Sequence, residues 1–172
     1  MSMVNKINTF SVWLISLTIC VCVIILIGGY TRISDSGLSI TEWLPISGVF
    51  YPITNNHWEI EFNKYKQIDE FILVNSAMTL SEFKFIYFWE WFHRAFARLI
   101  GILYIVPFFY LLIKKQIEKK YIGKIILVGI LLGTQAFVGW YMVESGLVGR
   151  GDVSQYRLAM HLNIAFIILG FI

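Results

Sequence analysis

Residues 7–31 run for 25 positions without a charged side chain. As a helix rising 1.5 Å per residue they reach about 37 Å, more than the roughly 30 Å hydrocarbon core of a bilayer. The run is too long for the apolar stretch of a signal peptide, and no clean small-x-small cleavage site follows it, so it reads as a retained transmembrane helix. In lipid each backbone N–H and C=O must be satisfied within the segment, which makes the span helical. The rest of the chain agrees: 58% of residues are hydrophobic against 15% charged, with mean hydropathy +0.70, too apolar for an ordinary soluble domain.

Three further segments follow. The second covers residues 85–113, of which only 99–113 are free of charge, and the third covers 125–143. The fourth, 158–172, ends after 15 residues, short of the roughly 20 that a span needs, and reads as truncated. The connection after the second segment carries Lys114, Lys115, Lys119, Lys120 and Lys124 against Glu118 alone. The positive-inside rule places that turn in the cytoplasm or matrix, and Lys6 puts the N-terminus on the same side. Residues 32–84 and 145–154 then lie outside.

The predicted fold is therefore an all-α polytopic membrane bundle of four transmembrane helices, the fourth truncated, with a long ordered outer loop. The net charge of +3 resides mostly in the lysine turn. No basic stripe interleaved with aromatics is present, so the lipid bilayer is an expected partner and nucleic acid is not. Cys20 and Cys22 project to different helix faces, and without a C-x-x-C-H motif covalent haem attachment has no support. Trp43, Pro45, Pro52, Trp58, Phe62, Tyr65 and Phe71 make the outer loop too aromatic for a disordered linker. Within it, Trp58, Phe62 and Tyr65 recur at helical spacing among charged residues, suggesting a short amphipathic helix on the membrane surface. His57 begins that stretch and is read as solvated.

Charge inside the spans is the functional signal. Glu90, Arg94 and Arg98 would each cost roughly 2.5–3.5 kcal/mol at the centre of a lipid-facing helix. They must lie near the interface or face a protein-lined cavity; the alternative, an interfacial cluster snorkelling to headgroups, fits the arginines better than the glutamate. Glu90, His93, Arg94, Ala97 and Gly101 share one helix face, with Arg98 at its edge. Ala97 and Gly101 would allow close approach of a flat ligand or another helix. In the fourth segment Arg157 and His161 are i,i+4 neighbours. His93 lies about 12 Å below Phe85, and His161 about 9 Å below Gln155, so both imidazoles fall at similar depth in the outer half. Two neutral imidazoles with cations nearby are what a porphyrin iron and its propionates require. Each histidine alone would read more simply as hydrogen-bonded within the bundle. Asp35-Ser36-Gly37-Leu38 after the first span is echoed by Glu144-Ser145-Gly146-Leu147 after the third. The echo suggests two related hairpins facing a shared site.

These residues resemble the haem A synthase family, membrane enzymes that convert haem O to haem A for cytochrome oxidase assembly. The resemblance runs through Gly28-Gly29-Tyr30-Thr31-Arg32, Ser36-Gly37-Leu38-Ser39-Ile40-Thr41-Glu42-Trp43, residues 78–84, Glu90-Trp91-Phe92-His93-Arg94, Gly139-Trp140-Tyr141-Met142-Val143 and residues 153–162. It is closest to the alphaproteobacterial and mitochondrial branch, where the loop lacks cysteines. The resemblance implies a haem O substrate site with His93 and His161 as axial ligands of the iron, and Glu90 assisting oxidation of the porphyrin methyl group. Arg94, Arg98 and Arg157 become partners of the propionates. Two oxygenations would give haem A. With a bis-histidine iron closed to dioxygen, one route is autooxidation followed by attack of water, with Glu90 accepting its proton.

The family has about eight helices in two halves, which would make residues 1–172 a single membrane domain, the N-terminal four-helix half. The other half should hold a second histidine pair and haem b. Expected partners are haem O synthase and cytochrome oxidase assembly factors, and the expected location is the bacterial or mitochondrial inner membrane. Ala97 and Ala136 stand where the family usually has glycine, which tightens clearance for a haem. Two other classes fit the histidines alone: a b-type electron carrier with no chemistry on the ring, and a non-catalytic haem-binding module or fragment.

Overall fold

The computed structural model describes residues 8–44, 47–147 and 151–172. Lys6 and Pro45, which entered the sequence reading, lie outside the described residues. Regular structure among the described residues is entirely helical: α1 (Thr9–Ile33), α2 (Asn55–Tyr65), α3 (Asp69–Leu73), α4 (Leu80–Ile113), α5 (Lys119–Glu144) and α6 (Gln155–Phe171), with a single 3-10 turn at Ser47–Val49. Three of them, α1, α4 and α5, are long and apolar enough to cross a membrane. With 17 residues α6 reaches about 25 Å, less than the hydrocarbon core.

Capping explains where the helices begin. The Asn8 side chain accepts from the backbone N–H of Ser11 at 2.8 Å and starts α1. A reciprocal capping box between Thr79 and Glu82 starts α4 five residues outside the predicted Phe85. The 34 residues of α4 are about 51 Å long, well beyond the roughly 30 Å of a hydrocarbon core.

The helices pack in a ring: α1 on α4, α4 on α5, α5 on α6, and α6 back on α1. The inner half of this ring is filled by Trp13, Leu17, Tyr104, Phe108, Leu111 and Val128. Two polar tips in that core find carbonyls: the Trp13 indole N–H donates to Leu103 at 2.8 Å, and the Tyr104 hydroxyl to Ile125 at 2.7 Å. Such satisfaction is what a buried polar group in lipid demands.

Among the described residues of the outer loop, two short helices form, α2 and α3. Helix α2 forms where the spacing of Trp58, Phe62 and Tyr65 predicted, but its apolar face does not turn to the membrane surface. It packs instead on Phe83, Ile86 and Tyr87 of the outer extension of α4. The reason is the early start of α4, which offers a nearer aromatic surface than lipid. Cys20 and Cys22 are both free thiols.

Candidate functional site

The filled inner half of the ring leaves the site to the outer half. His93 on α4 lies against α1 at Gly28: a Cβ there would sit 3.0 Å from the His93 Cε1. His161 on α6 lies against α5 at Gly139, where a Cβ would sit 2.9 Å from Cε1. Each imidazole thus occupies a seat that exists because its neighbour has no side chain. Gly28 and Gly139 both fall five residues before the last residue of their helices, Ile33 and Glu144. His93 lies 20 residues outward from Ile113, and Gly139 lies 20 residues outward from Lys119. Both seats are therefore about 30 Å above the inner helix ends. The Nδ1 atoms of His93 and His161 are both buried without a protein partner.

Glu90 is buried one turn outward from His93, and its carboxylate binds the outer loop to α4. One oxygen accepts from the Ser39 hydroxyl at 2.7 Å and from the Ile40 backbone N–H at 2.8 Å. The other accepts from the Arg94 guanidinium at 2.5 Å. An ionised carboxylate has about four acceptor positions, so this arrangement leaves about one. Arg94 donates further to the carbonyls of Ile40 at 3.2 Å and Glu42 at 3.4 Å, and Arg98 to the carbonyl of Leu44 at 3.2 Å. Arg157 is held more loosely: it reaches the Ser145 carbonyl at 3.4 Å and the Tyr141 hydroxyl at 3.5 Å, with its guanidinium 4.8 Å from the Tyr141 ring centre.

The six residues singled out from sequence therefore divide. His93 and His161 take matching seats against glycines of neighbouring helices, Arg157 lies on the His161 side, and Glu90, Arg94 and Arg98 form a column that holds loop backbone. Gly101, expected to admit a close neighbour, would meet nothing within 4 Å even with a Cβ added. His57 is exposed and lies on the rim of a cavity of about 210 Å³ between the loop and α4.

Sequence reasoning passed over three contributors. Gly28 and Gly139 were visible as glycines in apolar helices, but only the packing shows which ring each one seats. Glu70, on the short helix α3, is buried, with one carboxylate oxygen lacking a partner. Burial first, then the charge of Glu90, pushes its carboxyl up to about 8. Nothing in the local sequence marks Glu70 off from the loop's solvated acids.

Fold and site together define a multi-pass helical membrane protein with paired histidines enclosed in the outer half of its bundle. A family model described as cytochrome oxidase assembly protein matches residues 11–172. A haem A synthase of Maricaulis maris is 50% identical over 166 residues, covering 96% of this chain and 49% of that protein. Haem A synthases of Parvibaculum lavamentivorans and a Ruegeria species are 47% and 48% identical over 92% and 94% of this chain, and 46% and 43% of their own lengths. The chain belongs to the haem A synthase family of cytochrome oxidase assembly proteins. It spans about half the length of the curated relatives it matches. No solved structure matches it.

Proposed function

We propose that this chain is the haem O-binding half of a haem A synthase, an oxidoreductase that converts a methyl group of haem O to the formyl group of haem A. The observation that carries this reading is the pair of glycine-seated imidazoles at equal height on opposing helix pairs. Two neutral imidazoles suit haem iron as axial ligands, and the absence of a Cβ at Gly28 and Gly139 frees the space each ring needs.

In this reading α6 is the outer part of a fourth span. The pairs α1/α4 and α5/α6 are repeated hairpins, and residues 1–172 form one membrane domain with its N-terminus inside. The membrane is the bacterial or mitochondrial inner membrane. The remaining half supplies haem b, haem O synthase delivers the substrate, and haem A passes to cytochrome oxidase assembly.

Haem O held by His93 and His161 would leave dioxygen no place on its iron, and one route to the product is then attack of water on the substrate methyl carbon. Each of two such steps would add one water oxygen and release two protons and two electrons, the electrons passing to an acceptor outside this chain; the first would give the hydroxymethyl group and the second a hydrated aldehyde that loses water to become formyl. Glu90 uses its remaining acceptor position to take a proton from the attacking water. Arg157 meets a propionate. Arg94 can contribute as well, because a guanidinium carries five N–H donors and its contacts to Glu90 and the loop carbonyls occupy only some of them, and Arg98 one turn deeper is a further cation beside it.

The test is to co-express this chain with a haem O synthase, purify it in detergent and identify the extracted haem by mass. Haem O, its hydroxylated form or haem A supports the reading, whereas haem b alone overturns it in favour of an electron carrier. Glu90→Gln should retain the haem spectrum of the parent chain and lose oxidised product in the complete protein.

A further inference from the structure

The contacts of Glu90, Arg94 and Arg98 describe a second structure besides the histidine site. They lie four residues apart on α4, so each is about 6 Å deeper than the one before, about 12 Å in all. Their loop partners descend in the same order: Ser39 and Ile40 at Glu90, Ile40 and Glu42 at Arg94, and Leu44 at Arg98. The chain bends at Glu42, and the accepting carbonyls are those of Ile40, Glu42 and Leu44. A limb of loop thus runs down the face of α4, following its charged residues from Glu90 to Arg98.

The depth of this limb follows from the inner end of α4. Lys114 and Lys115 follow Ile113 there. A span of roughly 20 residues counted outward from Ile113 places the outer hydrocarbon boundary at Arg94. Arg98 lies about 6 Å below that boundary, and the carbonyl of Leu44 is bonded to it. The return limb passes the same level, since a Cβ on Gly48 would lie 3.4 Å from the Arg98 guanidinium. It then rises to the headgroup level, where the Trp91 indole donates to the Val49 carbonyl at 3.0 Å. Trp43 and Leu44 are 46% and 43% exposed, Val49 44% and Phe50 82%. On α4 itself, Leu99 and Ile102, next below Arg98, are 51% and 60% exposed. The acid within the limb, Glu42, is turned onto Lys64 of α2 at 3.0 Å.

We propose that the outer loop is seated in the outer leaflet as a re-entrant limb, with Trp43, Leu44, Val49 and Phe50 in contact with lipid. The charged residues of α4 satisfy its backbone. Irregular backbone at membrane depth is tolerated only where protein groups satisfy it. Arg94 and Arg98 supply those donors, and Trp43 near the Arg94 guanidinium, at 5.9 Å, takes the interfacial position typical of tryptophan. The same contacts explain why two arginines are tolerated on α4 below its headgroup level.

Spin-label accessibility tests the proposal on the chain in nanodiscs. Labels go at Leu44→Cys and Phe50→Cys in a background with Cys20→Ala and Cys22→Ala, with Lys66→Cys as the aqueous reference and Ile105→Cys as the lipid reference. Collision with oxygen relative to a water-soluble nickel chelate should be several-fold higher at position 44 than at 66, with position 50 between 44 and 66. A position 44 indistinguishable from 66 overturns the proposal. In the second arm, Arg98→Gln should shift the label at 44 toward the aqueous value while the label at 105 stays put. Arg98→Lys should restore part of the difference. An Arg98→Gln variant whose label at 44 does not move removes the guanidinium from the account.

Discussion

The two histidine-bearing helices carry similar sequence signals and do different physical work. On α4 the arginines beside His93 are engaged: Arg94 is bound to Glu90 and to two loop carbonyls, and the acid is buried with its donors in place. On α6 the arginine beside His161 makes, among the described residues, hydrogen bonds of 3.4 and 3.5 Å and lies over a tyrosine ring. An arginine one turn or less from a histidine therefore means a backbone clamp in one half and an available cation in the other. The asymmetry arises because the outer loop between α1 and α4 is long enough to fold back onto α4, whereas only about ten residues join α5 to α6.

The largest way to break this comparison is to remove the buried acid. Glu90→Ala would strand the Arg94 guanidinium and leave the Ser39 hydroxyl and Ile40 N–H without their acceptor. Removing one partner of a buried ion pair costs about 3–5 kcal/mol. Hydrogen exchange should show protection lost across residues 36–44 by that margin. Arg157→Ala, which breaks no buried ion pair, should leave exchange within about 0.5 kcal/mol of the parent. Equal losses in the two variants would erase the distinction between clamp and free cation.

A second difference is that a raised buried carboxyl sits on the α4 side. Glu70 faces the charges of Glu90 and Asp35 and the Tyr65 hydroxyl, and burial with Glu90's charge lifts it from the ordinary carboxylate value to about 8. A carboxyl raised on folding contributes its full stability below its unfolded value near 4.5, and that contribution is lost as pH climbs through about 8. Local stability of the loop should therefore fall by a few kcal/mol across that window. Glu70→Gln, which cannot ionise, should abolish most of the slope and protect the loop at pH 9. Proteolysis of the loop measured from pH 5 to 9 checks both statements. A slope unchanged in Glu70→Gln would assign the pH response elsewhere.

Much of this was legible in the sequence, and the parts that were not have a common cause. Apolar runs gave the helical class, and the 3.6-residue spacing of Trp58, Phe62 and Tyr65 gave α2. What such local patterns do not contain is the partner of each face. That α2 lies on α4 rather than on lipid depends on where Thr79 and Glu82 cap α4, a contact decided in three dimensions. The partition of the arginines depends on which carbonyls reach them, and carbonyls leave no mark on a side-chain pattern. The common level of the two histidine seats shows only when counted from the inner helix ends, because α4 starts five residues before Phe85. The glycine seats were not legible, since a glycine in an apolar helix looks the same whether it faces a ring, another helix or lipid.

The seats offer a sharper comparison with a smaller effect. A Cβ at Gly139 would fall 2.9 Å from the His161 ring, and one at Gly28 3.0 Å from His93, so alanine forces each ring to move by a few tenths of an ångström. With His93 and His161 as the proposed haem ligands, a displaced ring is expected to weaken haem binding by about 10–100-fold, in the range set by disturbing groups that orient metal ligands. Gly139→Ala should show the greater loss in a haem titration followed optically. His93 is held on a helix clamped through Glu90 and Arg94, so its ring has less freedom to rotate away and more of the strain reaches α1. Gly28→Ala should accordingly lower thermal stability more than Gly139→Ala, reversing the order seen in haem affinity. Identical behaviour of the two variants would mean that the clamp one turn away does not stiffen His93.

The smallest expected effect lies at the outer ends of the same two helices. The α4 helix begins with a complete capping box, in which the Thr79 hydroxyl and the Glu82 carboxylate each serve the other's backbone N–H. The α6 helix begins at Ser154, whose side chain makes no capping hydrogen bond. Replacing a working N-cap by alanine costs about 1 kcal/mol, whereas replacing an idle one costs little. Thr79→Ala should lower the stability of the outer end of α4 by about 1 kcal/mol and loosen the surface against which α2 packs. Ser154→Ala should be near neutral. The pair isolates the helix termini from charge and from haem, so a difference confined to Thr79 would show that the rigidity of the α4 half begins in its cap. A matching loss at Ser154 would mean that both helices depend equally on their first turn.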